Sequence, residues 1–336
     1  MRAPTLLLVA SVLVGCPKAT APQGPQITPE TLALPPAPDA VAAVRVDDGE
    51  RVQTWPARVE VLRERHPLHL RLEDMAAGGF WEVLLESEGP PARFGAAPGA
   101  AGPDTGVVTR EGSRLVLDLM RPLSGGGEQA LDLIVDRDPT PAPPPTDWLA
   151  PGTVLYYGLT FDDKPVTKVV PMALTVRLGA GSDGSRVLTW KADIDINAEQ
   201  EMTTDRTRTG RKLIPAEVVA SGTRLDDRFA RGEDVPDANS LFLSRAQLEG
   251  VTKLGGARVQ DEEVGPAGVL VRALAITVPI QAEAMVWAVP AVAAWTAGGE
   301  AVYVVADDAD EPLILSARRP GYTVRLLAIG RPAPRD

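Results

Sequence analysis

Across most of this chain apolar and polar side chains alternate in short runs broken by Gly, Pro and Asp. In "HPLHLRLED" Leu68, Leu70 and Leu72 alternate with His69, Arg71 and Glu73; in "RLVLDLM" Leu115, Leu117 and Leu119 share a face, and in "ALDLIVDRD" Leu131, Leu133 and Val135 do. A repeat of two puts alternate side chains on one face of an extended chain, so these runs predict half-buried strands. Six or seven of them in residues 41–138, with a Gly-rich break at Gly125 to Gly127, suit an immunoglobulin-like β-sandwich.

Residues 148–331 continue with longer strands. "TVLYYGLTF" turns at "DDKP" into "VTKVVPMALTVRL", and "GAGSDGS" leads into "RVLTWKADIDIN", where Leu188, Trp190, Ala192, Ile194 and Ile196 line one side. Further on, Gly298-Gly299 and Pro320-Gly321 supply the positive φ that tight hairpins need. The prediction is an antiparallel meander.

One helix interrupts it. In "LSRAQLEGVTKLGG", Ser244 and Gln247 have capping-box spacing, Leu243 and Leu248 can staple the entry, Lys253 falls in the last turn and Gly255 can close the end. Gly250 keeps it short. The expected fold class is therefore all-β and mainly antiparallel: a sandwich, then a meander or half-barrel with one short helix.

The first 40 residues have another pattern. A single charge at Arg2 precedes the apolar run Leu6 to Val14, which ends at Gly15 and Cys16. Nine residues are too few to span a bilayer, which takes about 20 in a helix, so residues 1–15 read as an export signal. The closing Leu13-Val14-Gly15-Cys16 resembles the lipobox of bacterial lipoproteins. That resemblance implies cleavage between Gly15 and Cys16 and acylation of the Cys16 thiol.

Cys16 is the only cysteine, so it has no partner for a disulfide within the chain. Each buried methylene of an acyl chain contributes about 0.8 kcal/mol, and several chains together make a firm anchor. Residues 16–40, rich in Pro, Ala and polar side chains, read as a tether. Residues 139–147 read as a stiff linker between the two domains, because "DPTPAPPPTD" holds five prolines in ten residues; residues 332–336 are a tail.

The "VYVVADDADEPLILSARRPGYTVRLLAIG" ending, with its acidic turn before Pro-Leu and its closing strand, resembles uncharacterised bacterial envelope proteins that form a curved sheet or half-barrel. The resemblance implies a half-barrel fold and brings no catalytic residues with it.

Charge narrows the partners. Without Arg2 the chain has 33 basic and 45 acidic side chains, a net charge of −12, which argues against nucleic acid and against adhesion to anionic lipid through a basic patch. The expected tie to a membrane is the lipid anchor alone. Pro17 and Lys18 lack the aspartate that marks inner-membrane retention, which favours the outer membrane.

Candidate chemistry is sparse. His66 and His69, with Glu64 or Glu73, would be needed for zinc, but no ligand spacing accompanies them and they read as surface histidines. "DDADE", Asp307 to Glu311, lacks the calcium-loop spacing and reads as a solvated hairpin tip. In "GAGSDGS" Ala180 stands where a nucleophile elbow needs Gly, and no Lys follows as in a phosphate loop. The expectation is a binding or structural protein without turnover, catalytic residue, metal or cofactor, whose partner is another envelope protein. The alternative is a carrier of an apolar ligand or lipid, held in a groove lined by Trp190, Trp287 and Trp295.

Overall fold

The fold is seen in a computed structural model. The structure describes residues 34, 38–47, 52–63, 68–75, 80–85, 94–96, 106–122, 128–161, 172–194, 206–227, 229, 237–262, 264, 265 and 267–330. Gly15, Cys16, the export signal, nearly all of the tether, His66, Ile196 and residues 332–336 lie outside them.

The first sheet holds β1 (Val41–Asp47), β2 (Val52–Arg63), β3 (Leu68–Asp74), β4 (Phe80–Leu85), β5 (Phe94–Ala96), β6 (Gly106–Glu111), β7 (Arg114–Pro122) and β8 (Glu128–Asp136). Its order, β5-β4-β3-β2-β1-β8-β7-β6, pairs sequence neighbours and joins β8 back to β1; the two outermost strands, β5 and β6, touch. The antiparallel character expected here is present. The connectivity is that of a meander, one eight-stranded sheet whose strands share one core.

That core is the face the alternation marks. Leu68, Leu70, Leu72, Leu115, Leu117, Leu131, Leu133 and Val135 are all buried together. Each contributes about 1.5–3 kcal/mol relative to an exposed side chain.

The second sheet is built on β9 (Val154–Phe161), β10 (Met172–Ala180), β11 (Arg186–Ile194), β12 (Arg206–Ile214), β13 (Arg224–Leu225), β14 (Ala238–Asn239), β15 (Ala257–Asp261), β16 (Gly268–Ala282), β17 (Met285–Thr296), β18 (Val302–Ala306), β19 (Ile314–Arg319) and β20 (Tyr322–Gly330). Their order is β12-β11-β10-β9-β20-β19-β18-β17-β16-β15-β13-β14. Strand β20 pairs with β19 along its first half, and then Gln281 and Ala282 of β16 pair in parallel with its Ala328 and Ile329. This closes β16–β20 into a five-stranded barrel, and β9–β12 continue the sheet outward from β20.

Strand β17 shows why this half has two cores. Val289, Ala291 and Ala293 face the larger core, while Val292 and Ala294 face a second one beneath the helix. An almost unbroken apolar run is what a strand buried on both faces requires.

Among the described residues two short α-helices occur where the sequence predicts one. In α2 (Arg245–Glu249) both capping-box hydrogen bonds form: Gln247 N–H donates to Ser244 Oγ, and Ser244 N–H to Gln247 Oε1. Gly250 begins a π-helical turn, and Gly255 ends it at φ 82°. The additional helix, α1 (Ala216–Ser221), starts after Pro215 and buries Val218 and Val219. Six residues are too few for helical periodicity to stand out.

The Pro-rich linker is pinned to the second sheet. Ala142 N–H donates to Val286 O at 3.0 Å, and Ala288 N–H donates to Ala142 O at 2.8 Å, along the edge of β17 that β18 leaves open. The two sheets meet at Gln281, whose Nε2 donates to Ala42 O at 2.7 Å and Ala57 O at 2.9 Å. One buried amide thereby grips a cross-strand pair of the first sheet.

Candidate functional site

At one end of the second sheet a cleft of about 230 Å³ opens between the β10–β11 hairpin, α1 and the start of α2. Leu149, Pro151, Leu178 and Val219 give it apolar walls, and Arg186, Arg245 and Glu311 are its charged side chains. The hairpin turn positions the first of these. Asp183 and Gly184 both take positive φ, 73° and 83°, and the turn closes with Gly181 N–H donating to Ser185 O at 3.2 Å. Arg186 then enters β11 opposite Ala180 and Ile214.

Arg186 is only 7 % exposed, and its guanidinium carbon lies 3.7 Å from the centre of the Phe242 ring. Stacking a guanidinium on an aromatic face is favourable and leaves the in-plane donors to seek acceptors. Nη2 donates to Glu311 Oε2 at 2.5 Å, whereas Nη1 is buried without an acceptor. Of the buried side-chain polar atoms lacking a partner among the described residues, it is the one that belongs to a charged group. Burial pushes the Arg186 pKa below its usual value, the Glu311 carboxylate opposes the shift, and the Arg245 charge adds to it.

The acidic loop is arranged by its own backbone. Asp308 Oδ1 accepts the N–H groups of Asp310 and Glu311, at 3.0 and 3.1 Å, and Asp308 Oδ2 accepts from Trp148 Nε1 at 3.3 Å. This local turn aims Glu311 at Arg186. "DDADE" is therefore more than the solvated tip expected from sequence. Arg245, half-exposed, donates from Nε to Asp310 O at 3.3 Å.

A second buried guanidinium lies deeper. Arg319, wholly buried, donates from Nε to Asp261 Oδ2 at 2.7 Å, from Nη2 to Asp227 Oδ2 at 2.5 Å and from Nη1 to Tyr322 Oη at 3.4 Å. Tyr303 Oη donates to the same Asp261 oxygen, and Asp227 Oδ1 accepts from Ser240 Oγ and Leu241 N–H. Leu241 is held at φ 57°, an unfavourable conformation for a leucine, and this delivers Phe242 beneath Arg186. Burial lowers the Arg319 pKa, but Asp227 and Asp261 together outweigh it, so the group sits above its usual value.

The tryptophans do not converge on a groove. Trp190 packs edge-on against Phe229 with ring centres 5.6 Å apart, Trp287 packs against Trp148 at 6.4 Å, and both belong to the larger core. Trp295 lies eight residues beyond Trp287 on β17, about 27 Å along an extended strand, and is half-buried. Of the three residues expected to line a groove, Trp190 and Trp287 are thus core side chains and Trp295 lies apart from them.

His69 is half-buried on β3, with Glu73 four residues along the same strand. Among the described residues no cluster of three His, Cys, Asp or Glu side chains is placed to hold a metal. The signal that would have revealed Arg186 and Glu311 is absent from any local stretch, since they are 125 positions apart.

No protein-family model and no curated protein matches this chain. A solved structure of a protein of unknown function from the DUF3598 family of Nostoc punctiforme is similar over 88 % of this chain and 95 % of that one, with 11 % identity and a TM-score of 0.16. A likeness of that size carries no argument about fold or function.

Proposed function

We propose that this chain is an exported, lipid-anchored protein of the bacterial cell envelope whose folded body works by binding rather than turnover. The observation that carries this reading is the apolar run Leu6 to Val14 closed by Leu-Val-Gly-Cys, with Cys16 the only cysteine of the chain. The acyl chains on Cys16 tie the protein to the membrane, the outer one by preference, and the tether spaces the body from it. No helix among the described residues is long and apolar enough to cross a membrane.

Among the described residues both sheets commit their alternating apolar side chains to buried core clusters, which supports recognition through outer surface. That favours a protein partner in the envelope over an apolar cargo, because Trp190 and Trp287 are already committed to packing. The decisive measurement is the fate of a Cys16→Ser variant expressed in a bacterial host. Expected is loss of acyl incorporation and of sedimentation with membrane vesicles. Undiminished sedimentation and unchanged processing would overturn the reading.

A further inference from the structure

We propose that the cleft between the β10–β11 hairpin and α2 binds an oxyanion, a carboxylate or a phosphate carried on a ligand with a small apolar part. Arg186 is its anchor, Arg245 its second cationic wall, and Glu311 the carboxylate that holds the place when no ligand is present. The proposal rests on reading the body as a binding module and is independent of the lipid anchor.

Three observations converge on it. First, a planar guanidinium is built to hold an oxyanion through two parallel N–H donors, yet the protein supplies Arg186 with Glu311 on Nη2 and no acceptor on Nη1. A buried donor left without a partner costs about 1–3 kcal/mol, more on a charged group, so an arrangement that keeps one calls for an acceptor from elsewhere.

Second, the cleft is locally positive in an acidic protein. Two guanidinium groups and one carboxylate face it. Asp310, the other acid beside Arg245, is 86 % exposed and 4.0 Å away, where water screens it. Repulsion between Arg186 and Arg245 is relieved when a second negative charge enters.

Third, the placeholder can leave. The Glu311 side chain is 37 % exposed and sits on a loop, so it can turn into water while Arg186, fixed on Phe242 and in β11, stays put. The remaining space is lined by Leu149, Leu178 and Val219, which suit a short apolar group attached to the anion. A volume of about 230 Å³ admits a small molecule and excludes a folded partner.

The test uses the full-length protein in mild detergent, titrated with sodium phosphate and separately with sodium succinate. Thermal unfolding and titration calorimetry are read against sodium chloride at equal ionic strength. Expected is a saturable rise in Tm with one or both probes, and the one that binds more tightly identifies phosphate or carboxylate as the natural head group. Arg245→Gln, on a half-exposed side chain that leaves the fold intact, should weaken binding at least tenfold. Glu311→Gln, which removes the competing charge, should tighten it severalfold.

No saturable shift beyond chloride with either probe overturns the proposal, as do affinities unchanged in both variants. Vesicle sedimentation of the Cys16→Ser variant is unaffected by either result, so loss of the cleft reading and loss of the anchor reading are told apart.

Discussion

Arg319 and Arg186 are both buried guanidinium groups of the same sheet, and the pairing of their donors differs. Around Arg319 the charges are met on every side: two aspartates and a tyrosine accept its donors, and those aspartates accept further hydrogen bonds from Tyr303, Ser240 and Leu241. Around Arg186 one carboxylate serves Nη2, and Nη1 has no acceptor. A closed network fixes chain segments to one another. An open one beside a cleft keeps capacity in reserve, and that separates a structural arginine from a binding one.

The largest test of this contrast is removal of each charge. In Arg319→Met, Asp227 and Asp261 are left facing each other in the interior with their cation gone, which should cost about 3–5 kcal/mol in urea unfolding at neutral pH. In Arg186→Met Glu311 is the one charged group that loses a partner, and the Met side chain still covers the Phe242 ring. Glu311 is 37 % exposed and rehydrates, so the cost should be roughly 1–2 kcal/mol. Equal losses from the two variants would break the comparison.

Alkaline pH should act through two buried tyrosines, Tyr303 within the closed network and Tyr157 beside its Asp227. Burial, reinforced by Asp261, holds the Tyr303 hydroxyl far above the usual tyrosine range, and burial with Asp227 does the same for Tyr157. Both folded-state values are raised, so stability is complete below about pH 10, where unfolded tyrosines still carry their protons. Above that pH the unfolded state releases protons that the folded state keeps, and stability falls by about 1.4 kcal/mol per pH unit for each tyrosine. Tyr303→Phe should halve the slope contributed by this pair between pH 10 and 11, measured by urea midpoints. An unaltered slope would remove Tyr303 from the network's energetics.

Local features of this fold were legible, because their causes lie within a few residues. Alternation at Leu68, Leu70 and Leu72 marks a strand face, and Ser244 with Gln247 marks the start of α2. What escaped the sequence depends on distance along the chain. Closure of the barrel rests on two residue pairs between β16 and β20, nearly 50 positions apart. The ion pair of the cleft joins Arg186 to an acidic stretch that, read locally, is an ordinary hairpin tip. The same limit explains the tryptophans: an aromatic residue on a strand looks alike whether it lines a groove or fills a core, and only the packing of Trp190 on Phe229 and of Trp287 on Trp148 separates the two.

The smallest expected effect sharpens the comparison from the backbone side. Gly184 sits at φ 83°, and a Cβ there would meet only Ala216 Cβ at 3.8 Å, so Gly184→Ala meets no clash and bears only the left-handed conformation, about 1–2 kcal/mol. Relief of that strain by opening the turn would displace Ser185 and Arg186, which follow it directly, while the Arg319 network belongs to other segments of the chain. Urea unfolding should therefore show a loss of about 1 kcal/mol, with the alkaline slope unchanged and phosphate or succinate binding weakened. If the slope changed and anion binding did not, the turn would be coupled to the wrong arginine, and the division between a closed site and an open one would fail at its most local point.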